Sequence, residues 1–252
     1  VVCDLDGVVY VGERAVPGAG RALADLERAG YRVVLATNNS TRNPLAVAER
    51  IHALTGFRSD PVGIVTSSIA AAALLGPGDS PALVVGEEGV AAALAEVGVD
   101  MTTDPESARS VVIGLARHVD YDLISAAARA VRRGARFVAT NTDATFPTPR
   151  GPVPGAGAIV AAVAIAAGTS PEVAGKPHQP MRGAVRQRLG AGPTWVVGDR
   201  AETDLALAAA EGWGKVLVLS GITSPDDTIP PELSPDIVVP TLAELPSALE
   251  SQ

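Results

Sequence analysis

With a single cysteine, Cys3, the chain cannot close an intramolecular disulfide, and nothing in its 252 residues points to an oxidising compartment. Cys3 itself reads as a small buried residue of a strand rather than a reactive thiol. Aromatic residues are equally sparse at 3%, which argues against the stacking platforms that hold single-stranded nucleic acid. Positive charge is in deficit. Lys and Arg number 20 against 28 Asp and Glu, a formal charge of −8, so the overall field repels nucleic acid polymers and anionic membranes. No run reaches the ~18 apolar residues of a membrane span, and no secretory leader is legible. The three histidines, His52, His118 and His178, are scattered without metal-ligand spacing. The expectation is a soluble cytoplasmic protein. Its first residue is Val1 rather than Met, which leaves room for a few residues ahead of it.

What is present is a large apolar fraction, 47%, dominated by Ala, Val and Leu, which suits helices packed on a parallel sheet. Short β-rich runs alternate with helical patterns. Residues 1–6 read as a strand, 18–30 as a helix stopped by Gly30, and 31–37 as a second strand. A helix then runs to about 55, a third strand covers 63–67, and an Ala/Leu helix reaches 75. "GPGDSP" at 76–81 breaks the pattern, and a second βα series follows, with helices near 121–133 and 157–167 around a Pro/Gly-rich loop at 141–157. After "EVAGKP" the first style returns: a helix near 180–189, the strand "TWVVGD", the helix "AETDLALAAAEG", the strand "KVLVLSG", a short "DIVV" strand and a terminal helix. The reading is an α/β fold, a doubly wound parallel-sheet core of 1–78 and 173–252 with an α/β domain, 79–172, inserted between.

Ligands of open α/β sheets bind outside the carboxyl ends of the strands. Four polar sets fall there: Asp4 and Asp6, Thr37-Asn38-Asn39-Ser40, Gly175-Lys176-Pro177, and Gly198-Asp199-Arg200 with Asp204 five residues on. Each alone has an ordinary explanation, such as a turn former, a helix cap or a surface lysine. All four at one sheet edge are another matter.

"DLDGVVY", "ATNNST", "GKP" and "VVGDRAETDLALA" resemble, in order, the four motifs of the haloacid dehalogenase (HAD) superfamily. The place of the inserted domain resembles the C2-type cap of the subfamily IIA, NagD-like or p-nitrophenyl-phosphatase-like phosphatases, and "VLSGITSPDD" at 218–227 is similar to that subfamily's segment after the fifth core strand. The superfamily often has Thr two residues after the second aspartate. Val8 stands there instead, as is common in the C2-capped group. Asp6 points to phosphatases and phosphomutases, since dehalogenases and phosphonatases lack an acid at its place.

The resemblance implies that Asp4 is the nucleophile that becomes an aspartyl phosphate, and that Asp6 protonates the leaving oxygen and then activates water. It implies Mg²⁺ held by Asp4, by Asp199 and by the backbone carbonyl of Asp6, with Asp204 acting through water or orienting the metal's surroundings. Thr37 and the amide of Asn38 would bind the phosphoryl oxygens and Lys176 would neutralise charge on them. The residue chemistry agrees. Two carboxylates two apart on a strand share a side, and one can stay ionised while the other holds a proton. Four acids also repel a phosphate unless a metal and a lysine offset them. Asn141, Asp143 and Arg150 of the 141–157 loop are candidates for substrate selection. The expected function is Mg²⁺-dependent hydrolysis of a small phosphorylated metabolite. The alternatives are a phosphomutase or phosphotransferase acting on sugar phosphates, and a non-catalytic binding protein on the same scaffold. The resemblance also allows a homodimer.

Overall fold

The computed structural model describes residues 1–146, 148 and 151–251. Its main sheet has six strands in the order Ile237–Val239, Gly214–Val218, Trp195–Gly198, Val2–Cys3, Val34–Thr37 and Ile64–Thr66. Every neighbouring pair is parallel. Strands buried on both faces need no polar side, which is why these runs read as unbroken Val, Leu and Ala. Cys3, Leu35, Ile64, Val197 and Val216 pack one face against Leu23, Leu26, Ile51 and Leu245. Val2, Val34, Ala36, Val65 and Val196 pack the other against Met181, Val185 and Leu207.

The first three strands step outward from Val2–Cys3 in one direction, and the last three lie on its other side. The order therefore reverses between Val2–Cys3 and Trp195–Gly198, the place where such sheets open a crevice at their carboxyl ends. The register pairs Cys3 with Val197 and with Leu35, so the residues that follow each strand emerge side by side.

Between the two halves runs a five-stranded parallel sheet, Glu172–Val173, Arg136–Ala139, Ser110–Ile113, Ala82–Val85 and Met101–Thr102. The helices Tyr121–Arg132 and Ala156–Ala167 cover one face over Val85, Val111, Ile113 and Phe137. Its other face, through Ala82, Val112 and Val138, joins the cluster that also holds Val65 and Met181, so the two sheets share apolar packing. Local chemistry sets the helix ends. Asn43 accepts from Ala46 N–H at 2.9 Å with Pro44 as first helical residue, and Gly56 stops that helix, Pro44–Thr55, in the left-handed region. Asp120 caps Tyr121–Arg132 through Leu123 N–H at 2.8 Å.

Three elements differ from the sequence reading. The first strand covers only Val2–Cys3 because the Leu5 carbonyl accepts from the N–H groups of Val8, Val9 and Tyr10 at 2.9–3.2 Å, turning the chain. The helix expected to 75 ends at Ala72, in the tight turns that Leu74 and Leu75 N–H make to Ala71 and Ala72. The helix after Asp199 opens as a wide π turn, Ala201–Leu205, before the α segment Ala206–Glu211. A hairpin, Tyr10–Val11 with Arg14–Ala15, was not foreseen. Among the described residues no helix is long and apolar enough to cross a membrane.

Candidate active site

Asp4 leaves the central strand with its N–H on the Val197 carbonyl at 2.9 Å, which ties it to the neighbouring strand that delivers Asp199. Lys176 is buried, and its ammonium group has three partners: the Asp4 carboxylate, Asp204 Oδ1 at 2.7 Å and the Ala36 carbonyl at 3.0 Å. Burial opposes its charge, but the Asp204 and Asp4 carboxylates outweigh burial and push its pKa above the ordinary lysine value. The lysine is therefore a fixed cation.

Asp199 accepts from Ile222 N–H at 2.7 Å, while its carbonyl takes Thr223 N–H at 3.1 Å. Asp204 Oδ2 accepts from Arg200 N–H at 3.2 Å, a bond within the π turn that aims the side chain back toward Lys176. Carboxylate oxygens of Asp4, Asp199 and Asp204 lie within 4.8 Å of one another. Two glycines make this possible. A Cβ at Gly198 would overlap the Asp204 carboxyl, and one at Gly221 would overlap that of Asp199. Gly7 adopts φ +89°, a left-handed turn, and its Cβ position is likewise taken by Asp199.

Three buried carboxylates against one ammonium leave a net negative cluster of hard oxygen donors. Burial first, and the Asp204 charge second, lift the Asp199 pKa to about 7. Burial likewise raises that of Asp4, with the Lys176 charge opposing. A divalent cation that takes few protein oxygens and completes its shell with water suits this set. The residues fit such an ion. Asp204, expected to act at one remove, belongs to the carboxylate cluster itself together with Asp4 and Asp199.

Asp6 stands on the turn immediately before Gly7, lining the same cavity of about 60 Å³ as Asp4, Thr37, Lys176 and Asp199. Burial raises its pKa, opposed by Arg50, Lys176 and Asn39. A carboxyl so placed keeps a proton more readily than an exposed one. Thr37 is buried and its Oγ1 accepts from Asn39 N–H at 3.0 Å.

Asn38 ties the site to the inserted unit. Its Oδ1 accepts from Lys176 N–H at 2.7 Å, and its Nδ2 donates to Asp143 at 3.2 and 3.3 Å. Its carbonyl accepts from Asn141 Nδ2 at 2.7 Å and Ser67 Oγ at 2.6 Å. Asn141 is thus a fastener at the seam, and both it and Asp143 line the cavity, where burial raises the Asp143 pKa. Ser40 adds a further tie, accepting from Leu115 N–H at 3.0 Å. Arg150 lies outside the described residues. His178 is exposed, its ring 3.1 Å from the Gly175 carbonyl.

The sequence reading passed over Asn39 and Arg200 as site residues. Both line the cavity, and both sat inside motifs already quoted. Arg50 had no signal at all, being an ordinary arginine on a helix 44 residues from Asp6.

Comparison with known proteins follows the same lines. Residues 1–100 match the family model of haloacid dehalogenase-like hydrolases, and residues 173–245 match a HAD-hydrolase-like model. An acid sugar phosphatase of Staphylococcus epidermidis is 34% identical over 236 residues, 92% of this chain and 90% of that protein. Among solved structures, a p-nitrophenyl phosphatase from Archaeoglobus fulgidus aligns with a TM-score of 0.88 at 29% identity, covering 98% of this chain and 97% of that one. The glycerol phosphate phosphatase of Mycobacterium tuberculosis in complex with magnesium aligns with a TM-score of 0.87 at 35% identity, covering 97% and 75%.

Proposed function

Because the chain belongs to the haloacid dehalogenase-like hydrolases, we propose that it is a Mg²⁺-dependent phosphomonoesterase of small phosphorylated metabolites, working through Asp4 as nucleophile. The observation that carries this reading is the buried contact of Lys176 with both Asp4 and Asp204, beside Asp199, at the sheet's switch point.

Asp4, Asp199 and Asp204 are the residues that would hold Mg²⁺, together with the Asp6 carbonyl. When bound, the ion supplies positive charge that lets an anionic phosphoryl group approach an anionic carboxylate. A magnesium complex of the M. tuberculosis relative supports the choice of ion. A carboxylate oxygen of Asp4 attacks phosphorus as the bond to the leaving oxygen breaks, and Asp6 passes its proton to that oxygen. The alcohol departs. Asp6, now ionised, takes a proton from water, whose oxygen attacks the aspartyl phosphate, releasing phosphate and restoring the Asp4 carboxylate. Lys176 holds Asp4 in line throughout, while Thr37 and the Asn38 amide bind the phosphoryl oxygens.

The working division is a core of 1–78 and 173–252 with a cap of 79–172; the strand Glu172–Val173, which pairs with Arg136–Ala139 of the cap sheet, straddles the second of these boundaries. The relatives' names, an acid sugar phosphatase and a glycerol phosphate phosphatase, favour a phosphate ester on a short oxygenated carbon chain as substrate. One buried cysteine suits a reducing, cytoplasmic setting. A homodimer, which the family allows, is checked by sedimentation velocity.

Turnover of p-nitrophenyl phosphate with Mg²⁺ tests the reading. Asp4→Asn and EDTA should each abolish it, by roughly 10³-fold or more for the variant. Undiminished activity in either case overturns it. Product analysis with a sugar alcohol present separates hydrolysis from transfer, since a transferase makes a new ester instead of free phosphate.

A further inference from the structure

The cavity around Asp4 opens into a larger chamber of about 560 Å³, with Asp6, Thr37, Asn39, Leu115 and Phe146 lining both. Such a volume matches a small-molecule site with room for several carbons. Val47, Phe146 and Val153 give it apolar surface, and three arginines, Arg42, Arg50 and Arg117, reach it as well.

Two of the arginines are already answered. Arg50 donates to Glu13 at 3.0 and 3.1 Å and to the Gly12 carbonyl, with its guanidinium 5.0 Å above the Tyr10 ring. Arg117 meets Glu87 at 2.9 and 3.1 Å. Arg42 is different. Among the described residues no carboxylate or other side chain pairs with its guanidinium.

Its backbone, by contrast, is held on both sides. The Thr41 carbonyl accepts from Gly89 N–H at 3.2 Å, and a Cβ at Gly89 would come within 2.6 Å of the Arg42 nitrogen. On the other flank Asn43 is fixed as the cap of the helix Pro44–Thr55. An unpaired guanidinium thus projects from a pinned backbone at the seam between the two sheets, facing a chamber whose nearer end holds the phosphoryl chemistry. A planar, permanently charged fork is the side chain best matched to a carboxylate.

We propose that this chamber receives the alcohol part of the substrate and that Arg42 selects phosphomonoesters whose alcohol part carries a carboxylate. The proposal rests on the phosphatase reading above and narrows it to phosphorylated acids. The apolar lining packs against the carbon skeleton, while Arg50, neutralised by Glu13, keeps the Asp6 end of the chamber from competing for the acid.

A matched pair of substrates tests it: gluconate 6-phosphate and sorbitol 6-phosphate, which differ at one end in carboxylate against hydroxymethyl. The native protein should favour the acid by about 10-fold or more in kcat/KM, and Arg42→Gln should lower that ratio by roughly 10–100-fold, the worth of a charged hydrogen-bonded pair. Arg42→Lys should keep part of the preference. Arg58→Gln, which removes an exposed charge ahead of the strand Ile64–Thr66 at the opposite sheet edge, should leave the ratio where it is. A native ratio near one, or a ratio that Arg42→Gln does not change, overturns the proposal. Absence of any Mg²⁺-dependent turnover of p-nitrophenyl phosphate would instead overturn the phosphatase reading, so the two failures are told apart.

Discussion

Lys176 Nζ lies 2.7 Å from Asp204 Oδ1, in a pair whose side chains are 4% and 1% exposed, and the same ammonium group also holds Asp4. One buried cation therefore keeps two strand-end segments, 172 and 28 residues away in the chain, in fixed relation. The arrangement is stabilising only as a whole, because desolvated charges without partners are costly.

Removing the cation should show this. Lys176→Met leaves Asp4 and Asp204 buried without their ammonium partner, and the expected loss is about 3–5 kcal/mol of stability in the absence of metal. Mg²⁺ should recover part of it, since a dication answers the same carboxylates. Urea unfolding with and without Mg²⁺ checks both points. A metal-free variant as stable as the native protein would mean that the pair is not holding the site together.

Gly221 offers a change that removes no functional side chain. An added methyl would overlap the Asp199 carboxylate, which Ile222 N–H fixes at 2.7 Å. Gly221→Ala should therefore displace Asp199 and raise the Mg²⁺ concentration for half-maximal activity by roughly 10–100-fold, as misdirected ligands do. Titration of activity against Mg²⁺ reads the shift, and circular dichroism shows whether the fold has stayed.

The alternation of strands and helices was legible because each element carries its own local signal: the apolar run before Thr37, the Asn43–Pro44 helix start, the Gly56 stop. The motif aspartates were legible for the same reason, being strand-end acids in short, dense patterns. The first strand's end was not, because the Leu5 carbonyl that gathers three N–H groups depends on a turn that Val8 and Val9, strand formers by preference, do not announce. Still less visible were pairings over long stretches. Asn38 and Asp143 are 105 residues apart, and Arg50 approaches Asp6 only because the helix Pro44–Thr55 and the hairpin at Tyr10–Val11 pack together. Folding brings such residues together without leaving a mark at either position.

The Asn38–Asp143 contact is a seam between the phosphoryl site and the inserted unit, and its polarity is testable. Asn38→Asp keeps an acceptor for Lys176 N–H but sets a carboxylate against Asp143. Amide exchange across 141–146 should quicken and kcat/KM fall by about 10-fold or more. Adding Asp143→Asn reverses the pair and should restore much of the loss, a coupling that a double-mutant cycle isolates. Equal defects in the single and double variants would show that the contact carries no energy of its own.

Metal removal should make stability depend on pH in a definite direction. In the metal-free protein burial and the Asp204 charge hold the Asp199 pKa at about 7, well above the ~3.9 of an unfolded aspartate. The folded state then binds the extra proton more tightly than the unfolded chain does. Its contribution to stability is full below the unfolded pKa and is lost as pH rises through about 7. Metal-free protein should accordingly lose Tm between about pH 4 and pH 7, against the usual trend for paired carboxylates. Saturating Mg²⁺ should flatten the slope, because a bound dication favours the ionised carboxylates and removes the reason for proton uptake. Thermal unfolding in EDTA and in Mg²⁺ across this range measures it. A metal-free Tm that rises from pH 4 to 7 would show that Asp199 is ionised throughout and that Lys176 alone offsets the cluster.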